Sequence, residues 1–355
     1  MNKKLVGLGL AAVAAVSLAA CGNRASKSSS SEASSSADTS VKAAIVTDIG
    51  GVDDRSFNQS AWEGLQEWGN AAGLSKGNGY DYFQSASESD YITNLDSAVA
   101  GGYNLVFGIG FALESAIAEV APNNPDTHYV IVDSVVPDQD NVVSVGFADH
   151  EASYLAGVAA AKSTKTNHVG FIGGMEGVII DRFEAGFVAG AKSVNKDIKI
   201  TIDYAGSFGD AAKGQTLAAA QYAAGADVIF HASGGTGNGV FAAAKAENET
   251  RNEADKVWVI GVDRDQSAEG EYTSKDGKSS NFVLASTLKQ VGTSVKDIAT
   301  KAVVGEFPGG QVLQFSLKDK GVELAETNLS EDASKAVADA KQAILDGKVE
   351  VPEKP

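Results

Sequence analysis

Short, uninterrupted apolar runs alternate with longer segments of helical periodicity through most of the chain. The runs are bounded by Gly, Asp or Ser, which is typical of buried parallel strands. They predict strands at Ala43–Thr47, Asn104–Gly108, Tyr129–Asp133, His168–Ile172, Val228–Ala232 and Trp258–Asp263. Ala-rich amphipathic segments between them predict helices at Phe57–Ala72, Ala152–Lys162, Arg182–Val194, Ala211–Ala224 and Gly239–Ala246. The alternation indicates an α/β fold with doubly wound, mostly parallel sheets flanked by helices.

Two strand–helix runs, at about 41–147 and 149–263, indicate two lobes. From Phe282 the pattern adds a strand, a helix, a short β segment around Gln311–Leu317 and a final helix at Ser330–Leu345. This order resembles a type I periplasmic-binding-protein fold, in which the chain crosses between the lobes several times. We expect residues 41–148 and about 288–310 in the N-terminal lobe, and 149–287 and about 311–355 in the C-terminal lobe.

The first 20 residues have the organisation of a secretory signal peptide. Lys3 and Lys4 precede an uncharged run, Leu5–Ala20, that is short for a membrane-spanning helix. The run ends at Cys21, the only cysteine of the chain, in a sequence that resembles a lipoprotein signal-peptidase site. We therefore expect lipidation at Cys21, which anchors a protein stably when two or more acyl chains are attached. An unpaired thiol or a short transmembrane anchor is the alternative.

Residues 21–40 are rich in Ser and Ala and cannot form a core, so they predict a flexible tether on the extracytoplasmic face of a membrane. The formal charge of −17 falls to −19 if Lys3 and Lys4 are removed with the signal. Such an acidic chain is poorly suited to nucleic acid or to anionic lipid. Membrane association should depend on the anchor, and we expect a monomer.

Sequence signals of catalysis are weak. The four histidines are scattered, no phosphate-binding G-x-x-x-x-G-K-[ST] loop or G-x-S-x-G elbow occurs, and a lone cysteine excludes a disulfide framework or a cysteine metal site. The Gly-rich stretch 233–239 departs from the dinucleotide-binding spacing, although its amides could approach a polar ligand closely. We therefore expect a binding protein without cofactor or metal, not an enzyme.

The most informative segment is 48–59, DIGGVDDRSFNQ, at the first strand-to-helix turn. Ser56 and Gln59 have the spacing of a capping box, and Asp53 or Asp54 could instead stabilise the helix N-terminus. The segment resembles the opening signature of the basic membrane protein family, which includes the purine-nucleoside receptor A lipoproteins. The resemblance continues in these stretches: 147–149 with 156–157, 170–174, 183–190, 232–237 and 260–263.

This resemblance implies a nucleoside ligand held between the lobes and delivered to an ABC transporter permease. A nucleoside base needs aromatic faces and an amide or carboxyl at its edge. Phe57 and Phe208 are candidate stacking partners from opposite lobes, although Phe57 also continues the apolar stripe of its helix. Asn58 offers a donor and an acceptor to the base edge, although a first-turn Asn is often merely exposed, and Asp48 ends the first strand beside it.

Charged groups at other strand ends suit the ribose hydroxyls. Asp263 ends a strand and could accept two of them, while Lys289 could donate to the ribose and neutralise nearby carboxylates, unless it is a surface lysine. Asp133 is a secondary candidate, and Gly234 and Gly235 would bring backbone amides against the ligand. A lipoprotein of the same fold that binds a sugar or another small polar solute remains the alternative function.

Overall fold

The computed structural model describes residues 41–355. The strands are β1 Ala43–Thr47, β2 Tyr80–Phe83, β3 Leu105–Ile109, β4 His128–Val132, β5 Val142–Phe147, β6 His168–Gly173, β7 Lys199–Tyr204, β8 Val228–Ala232, β9 Trp258–Gly261, β10 Glu271–Thr273, β11 Ser279–Asn281, β12 Val283–Lys289, β13 Val312–Phe315 and β14 Val322–Glu326. The α-helices are α1 Phe57–Ala71, α2 Tyr91–Ala100, α3 Glu114–Val120, α4 Asp149–Ser163, α5 Val178–Val194, α6 Ala211–Ala223, α7 Gly237–Glu249, α8 Val291–Val303 and α9 Glu331–Leu345.

Two six-stranded sheets form the centres of two lobes. The first has the order β13-β5-β4-β3-β1-β2 and the second the order β14-β12-β9-β8-β6-β7. All neighbours in the first sheet are parallel, whereas the edge strand β14 pairs antiparallel with β12. The central strands are buried apolar runs such as AAIVT in β1, as expected for sheets covered on both faces. The predicted α/β class with parallel-dominated sheets is confirmed.

The chain passes between the lobes three times: after β5, after β12 and between β13 and β14. We expected the last return to the C-terminal lobe at about residue 311. The structure differs, because β13 pairs in parallel with β5 of the first sheet, Val312 opposite Ser144. The β segment predicted at Gln311–Leu317 is therefore an edge strand of the first lobe, and the chain returns between Phe315 and Val322.

Helices cover both faces of each sheet. In the first lobe, α1 and α8 lie over one face and α2 and α3 over the other, while α4 and α5 cover one face of the second sheet and α6 and α7 the other. Close contact between α4 and α5 depends on glycine. A side chain at Gly157 would lie 2.2 Å from the Phe187 carbonyl oxygen, and one at Gly190 would lie 2.0 Å from that of Tyr154. These family-signature glycines therefore serve helix packing rather than ligand contact.

The predicted signal peptide at 1–20, the lipidated Cys21 and the tether at 21–40 lie outside the described residues. Within residues 41–355, no helix combines the length and the apolar character that a membrane span requires.

Candidate functional site

A cavity between the carboxyl ends of the two sheets brings together nearly all of the predicted site residues, as expected for α/β sheets. Gly235 is the one predicted residue that does not line it. The lining consists of Asp48, Gly50, Asp54, Phe57, Asn58, Gly110, Phe111, Asp133, Ile179, Ile180, Phe183, Phe208, Ala232, Ser233, Gly234, Val262, Asp263 and Lys289.

Asp54 caps the first helix. Its two carboxylate oxygens accept hydrogen bonds from the backbone N–H groups of Ser56 (2.8 Å), Asn58 (2.9 Å) and Gln59 (3.0 Å). The predicted capping box is wrong: the Ser56 side chain makes no capping bond, and the Gln59 amide donates to Glu63 instead. Asp54 therefore satisfies the N–H groups at the helix N-terminus. This is the role that the sequence suggested for either Asp53 or Asp54.

The side chain of Asn58 is held in one orientation by two carboxylates. Its Nδ2 donates to Asp48 Oδ1 at 2.8 Å and to Asp54 Oδ2 at 3.0 Å, and only an NH₂ group can serve both acceptors. Its Oδ1 is buried and has no hydrogen-bond partner among the described residues. Burial raises the pKa of Asp48 to about 6, although bonds from the Gly50 N–H and from Asn58 oppose the increase. Asn58 thus brings an unused acceptor to the lining of the cavity.

Asp133 and Asp263 occupy equivalent places in the two lobes. Asp133 follows β4 and Asp263 follows β9, which are the third strands of their sheets, and both have left-handed backbones, with φ of 66° and 69°. Asp133 Oδ1 is buried without a hydrogen-bond partner among the described residues. Asp263 accepts a hydrogen bond from the Ser56 hydroxyl. Burial raises the pKa of Asp263 to about 7, and attraction to Lys289 partly offsets the rise.

Lys289, at the end of β12, is a buried cation rather than a surface lysine, with 3% of its side chain exposed. Its Nζ lies 2.6 Å from Asp133 Oδ2 and 3.2 Å from Asp149 Oδ1. Burial opposes its charged form, but Asp133, Asp149 and Asp263 together hold the pKa of Lys289 above its ordinary value. Burial raises the pKa of Asp149 to about 7 against the attraction of Lys289. Lys289 thus neutralises part of an acidic cleft.

Four phenylalanines supply the apolar walls of the cavity: Phe57 and Phe111 from the first lobe, Phe183 and Phe208 from the second. The Phe111 and Phe208 rings meet edge to face across the cleft, with centroids 6.0 Å apart. Phe57 is half-buried, and its ring lies 5.1 Å from Lys289 Nζ. Both predicted stacking residues are therefore at the cavity rather than in the core.

The glycine-rich turn after β8 brings the two lobes close together. Gly234 lines the cavity with φ of 54°, a conformation that glycine tolerates without strain. A side chain at Gly235 would instead lie 3.2 Å from the Phe208 carbonyl oxygen and 3.8 Å from that of Gly50 in the first lobe. Gly235 therefore allows the two lobes to approach each other. The prediction that its amide would approach a ligand is not what the structure shows.

Sequence reasoning missed several cavity residues. Phe111 follows Gly110 just beyond β3, so an aromatic residue beyond a strand end was an available signal. Ile180 and Phe183 lie in the first turns of α5, where their apolar spacing cannot be distinguished from that of core residues. Asp149 does not line the cavity itself, but it begins α4 and only the folded chain brings it to the cavity residue Lys289.

Polar contacts join the lobes beside the cavity. Arg55 pairs with Glu269, Arg264 lies 3.0 Å from Glu63, and Gln266 Nε2 donates to the Arg55 carbonyl oxygen at 2.9 Å. With the Ser56–Asp263 bond, these contacts join the start of α1 to the segment after β9. They hold this side of the cleft closed. No cluster of His, Cys, Asp and Glu suited to a metal ion occurs within residues 41–355.

A family model described as ABC transporter substrate-binding protein PnrA-like matches residues 41–355. The chain belongs to this family. It is 58% identical over 355 residues to the ABC transporter nucleoside-binding protein BmpA of Lactococcus lactis subsp. cremoris, with 100% of both chains covered. Basic membrane protein A of Borreliella burgdorferi is 33% identical over 282 residues, covering 78% of this chain and 77% of that protein. The resemblance inferred from the motifs is confirmed.

Solved structures of ABC transporter solute-binding proteins share the fold. One from Aeropyrum pernix K1 superposes with a TM-score of 0.77 at 24% identity, covering 88% of this chain and 94% of that chain. Another, from Conexibacter woesei, gives a TM-score of 0.65 at 22% identity over 88% and 99% of the two chains. These likenesses confirm the two-lobed type I architecture. As a member of this substrate-binding family, the PnrA-like chain binds a solute and is not an enzyme.

Proposed function

We propose that this chain captures purine nucleosides in the cavity between its lobes and delivers them to an ABC importer. The observation that carries the proposal is a cavity lined by Phe57 and Phe208, one from each lobe, and by Asn58, whose Oδ1 has no hydrogen-bond partner among the described residues. Full-length similarity to a relative named as a nucleoside-binding protein supports the same ligand class.

The base would stack on Phe57 and Phe208 and meet Asn58 at its edge. Stacking on aromatic side chains contributes about 1–3 kcal/mol per base in nucleic-acid complexes. Because both Nδ2 protons of Asn58 are engaged, the side chain can only accept a further hydrogen bond, through Oδ1, which matches the N–H donors on a purine edge. Asp48, bonded to the same amide, adds a second oxygen acceptor nearby.

The ribose would bind at the other strand ends. Asp263 retains acceptor capacity beyond the Ser56 bond, and Asp133 Oδ1 is free among the described residues. Hydroxyl groups are suitable donors to both carboxylates, and Lys289 already bonds the other oxygen of Asp133 at 2.6 Å. Gly234 would let the ligand approach the backbone.

A sugar alone fits this cavity less well. Ile179, Ile180 and Val262 line it together with four phenylalanines. A monosaccharide would leave much of this apolar wall without a matching surface, whereas a purine ring would cover it.

Transport would follow from lobe closure around the ligand. A ligand shifts an open–closed equilibrium only through tighter binding to the closed form, which the importer would then recognise. We further propose that Cys21 is lipidated, that residues 1–20 are then removed, and that the lipid holds the protein at the extracytoplasmic face of the membrane, as a monomer.

The test is calorimetric titration of the full-length protein, purified in detergent and refolded to remove co-purified ligand. Adenosine, guanosine and inosine should bind, while cytidine, adenine, ribose, arabinose and AMP should bind much more weakly. Binding at a ligand concentration a hundred times Kd should also stabilise the fold by about 2.7 kcal/mol. Binding of a sugar with no response to any nucleoside would refute the proposal and favour the sugar-binding alternative.

A further inference from the structure

A second space, the outer chamber, opens beside the proposed nucleoside cavity. It has a volume of about 470 Å³ and is lined by Glu114, Val135, Val178, Ile179, Arg182 and Val312, among others. Phe111, Asp133 and Ile179 line both spaces, so the two are adjacent. The chamber is of the size that small-molecule sites commonly have.

The outer chamber lies away from the contacts that close the cleft. Those contacts join the start of α1 to the segment after β9, whereas the chamber is bordered by α3, by the residues after β4 and by the start of α5. In the first lobe, α1 and α3 cover opposite faces of the sheet. The cleft is therefore joined on one side and open on the other, where a group attached to the ligand could extend outward.

Apolar surface concentrates in this chamber. Seven large hydrophobic side chains of the described residues are more than a third exposed, and three of them line the chamber. These are Val135, Val178 and Val312, which are 47%, 65% and 55% exposed. They come from both lobes, so they lie together only while the lobes are close. An apolar group placed among them would remove unfavourable surface from water.

Several polar groups of the chamber already have hydrogen-bond partners. The Ser134 hydroxyl donates to Glu114, and Arg182 Nε donates to Glu353 Oε2 at 2.9 Å. Acidic groups outnumber basic ones here, because Asp133 also lines the chamber. An anionic extension such as a phosphate would meet this acidic excess, whereas an uncharged one would meet the valines.

We propose that the outer chamber is a subsite for an uncharged, mainly apolar substituent on the nucleoside. The inference rests on the proposed function, since it places the parent nucleoside in the adjoining cavity. It extends the ligand class from simple purine nucleosides to derivatives that carry such a group on the base or on the sugar.

The experiment compares parent and substituted ligands by titration calorimetry on the full-length protein in detergent. The probes are adenosine, N6-benzyladenosine and 5′-O-benzoyladenosine, which carry a similar ring at opposite ends of the nucleoside. Val178→Trp would fill the chamber from an exposed position at the start of α5. The matched control is Val304→Trp, since Val304 is also 65% exposed but follows α8, outside the chamber.

At least one substituted nucleoside should bind the natural protein within about threefold of adenosine. Val178→Trp should weaken that ligand more than tenfold and leave adenosine unchanged, and Val304→Trp should affect neither. The subsite would be overturned if neither derivative binds, or if Val178→Trp does not change the affinity of the derivative that binds. Adenosine binding in the same experiment would still support the proposed function. Lowered cellular nucleoside uptake with unchanged binding in Val178→Trp would assign the chamber to transporter contact and also overturn it. Failure of all nucleosides, adenosine included, would overturn both proposals.

Discussion

The hydroxyl of Ser56, at the start of α1 in the first lobe, donates a hydrogen bond to the carboxylate of Asp263, which follows β9 in the second lobe. Both residues are buried, and Asp263 lines the cavity. The bond therefore ties closure of the lobes directly to a group that the ligand would contact.

Replacing Ser56 with Ala should weaken nucleoside binding roughly tenfold, since a hydrogen bond to a charged group contributes about 1.5–3 kcal/mol and this one forms across the closed cleft. Calorimetry would measure the change in Kd. Ser97→Ala is the control, because Ser97 is exposed on α2 and bonds only within its helix. Equal affinities of Ser56→Ala and Ser97→Ala would contradict a role for the bond in closure.

Helix α1 provides a direct comparison of two capping schemes. Asp54→Ala should lower the free energy of unfolding by about 2 kcal/mol, because three N–H groups lose their acceptor. Gln59→Ala should change it by less than about 0.5 kcal/mol, since that side chain only reaches Glu63. Urea unfolding would measure both. A larger loss of unfolding free energy in Gln59→Ala than in Asp54→Ala would instead support the capping box predicted from the sequence.

The positive charge of Lys289 compensates the negative charge of several buried carboxylates, so its removal should strongly destabilise the fold. We expect Lys289→Met to lower the free energy of unfolding by about 3–5 kcal/mol, because Asp133 and Asp149 would remain buried beside an apolar group. Adding Asp149→Asn should recover part of the loss, which a purely steric defect would not allow. Lys42→Met, at an exposed lysine, is the control for urea unfolding.

The buried acids should make the ligand-free protein lose stability as pH rises. An acid whose pKa is raised by folding holds its proton more tightly when folded than when unfolded. For Asp263 and Asp149, with folded pKa values of about 7, the free energy of unfolding should fall between about pH 4 and pH 7 and then level off. Denaturant titrations across this range would measure the slope. Asp263→Asn should make the slope shallower, because Asp149 would still contribute, whereas Asp126→Asn, at an exposed aspartate, should follow the natural protein.

The lipid anchor has a test in cells. Cys21→Ser should abolish incorporation of a labelled fatty acid, because no other cysteine is present. Metabolic labelling and mass spectrometry of the N-terminal peptide would measure this. Incorporation of the fatty acid into the Ser variant would contradict lipidation at this residue.

Several buried central strands could be predicted from sequence, although the buried strand β5 was missed, and edge strands were predicted poorly. β1 and β8 have the predicted bounds because each is a fully buried apolar run. β7, Lys199–Tyr204, was missed because it is an edge strand with partly exposed side chains and therefore has no continuous apolar signal. β13 was predicted as a segment but assigned to the wrong lobe, since local pattern does not specify which sheet an edge strand joins.

In the site, too, residues marked by a local sequence pattern could be predicted, and residues placed by tertiary contacts could not. Asp48, Asp133 and Asp263 could be predicted because polar residues at strand ends meet at one edge of a sheet. The Ser56 capping role was wrong because its hydroxyl bonds to a residue 207 positions away, which helix-end spacing cannot reveal. Ile180 was missed because an apolar helix position that lines a cavity has the same sequence pattern as one in the core.

The three crossings between the lobes also govern the order in which the protein can form. Strand β13 completes the first sheet only when residues 312–315 have been made, after most of the second lobe. Neither lobe is a contiguous stretch of polypeptide, so a chain that ends before residue 312 would leave the buried strand β5 as an exposed edge of the first sheet. Folding of the first lobe should therefore finish only after most of the second lobe is available.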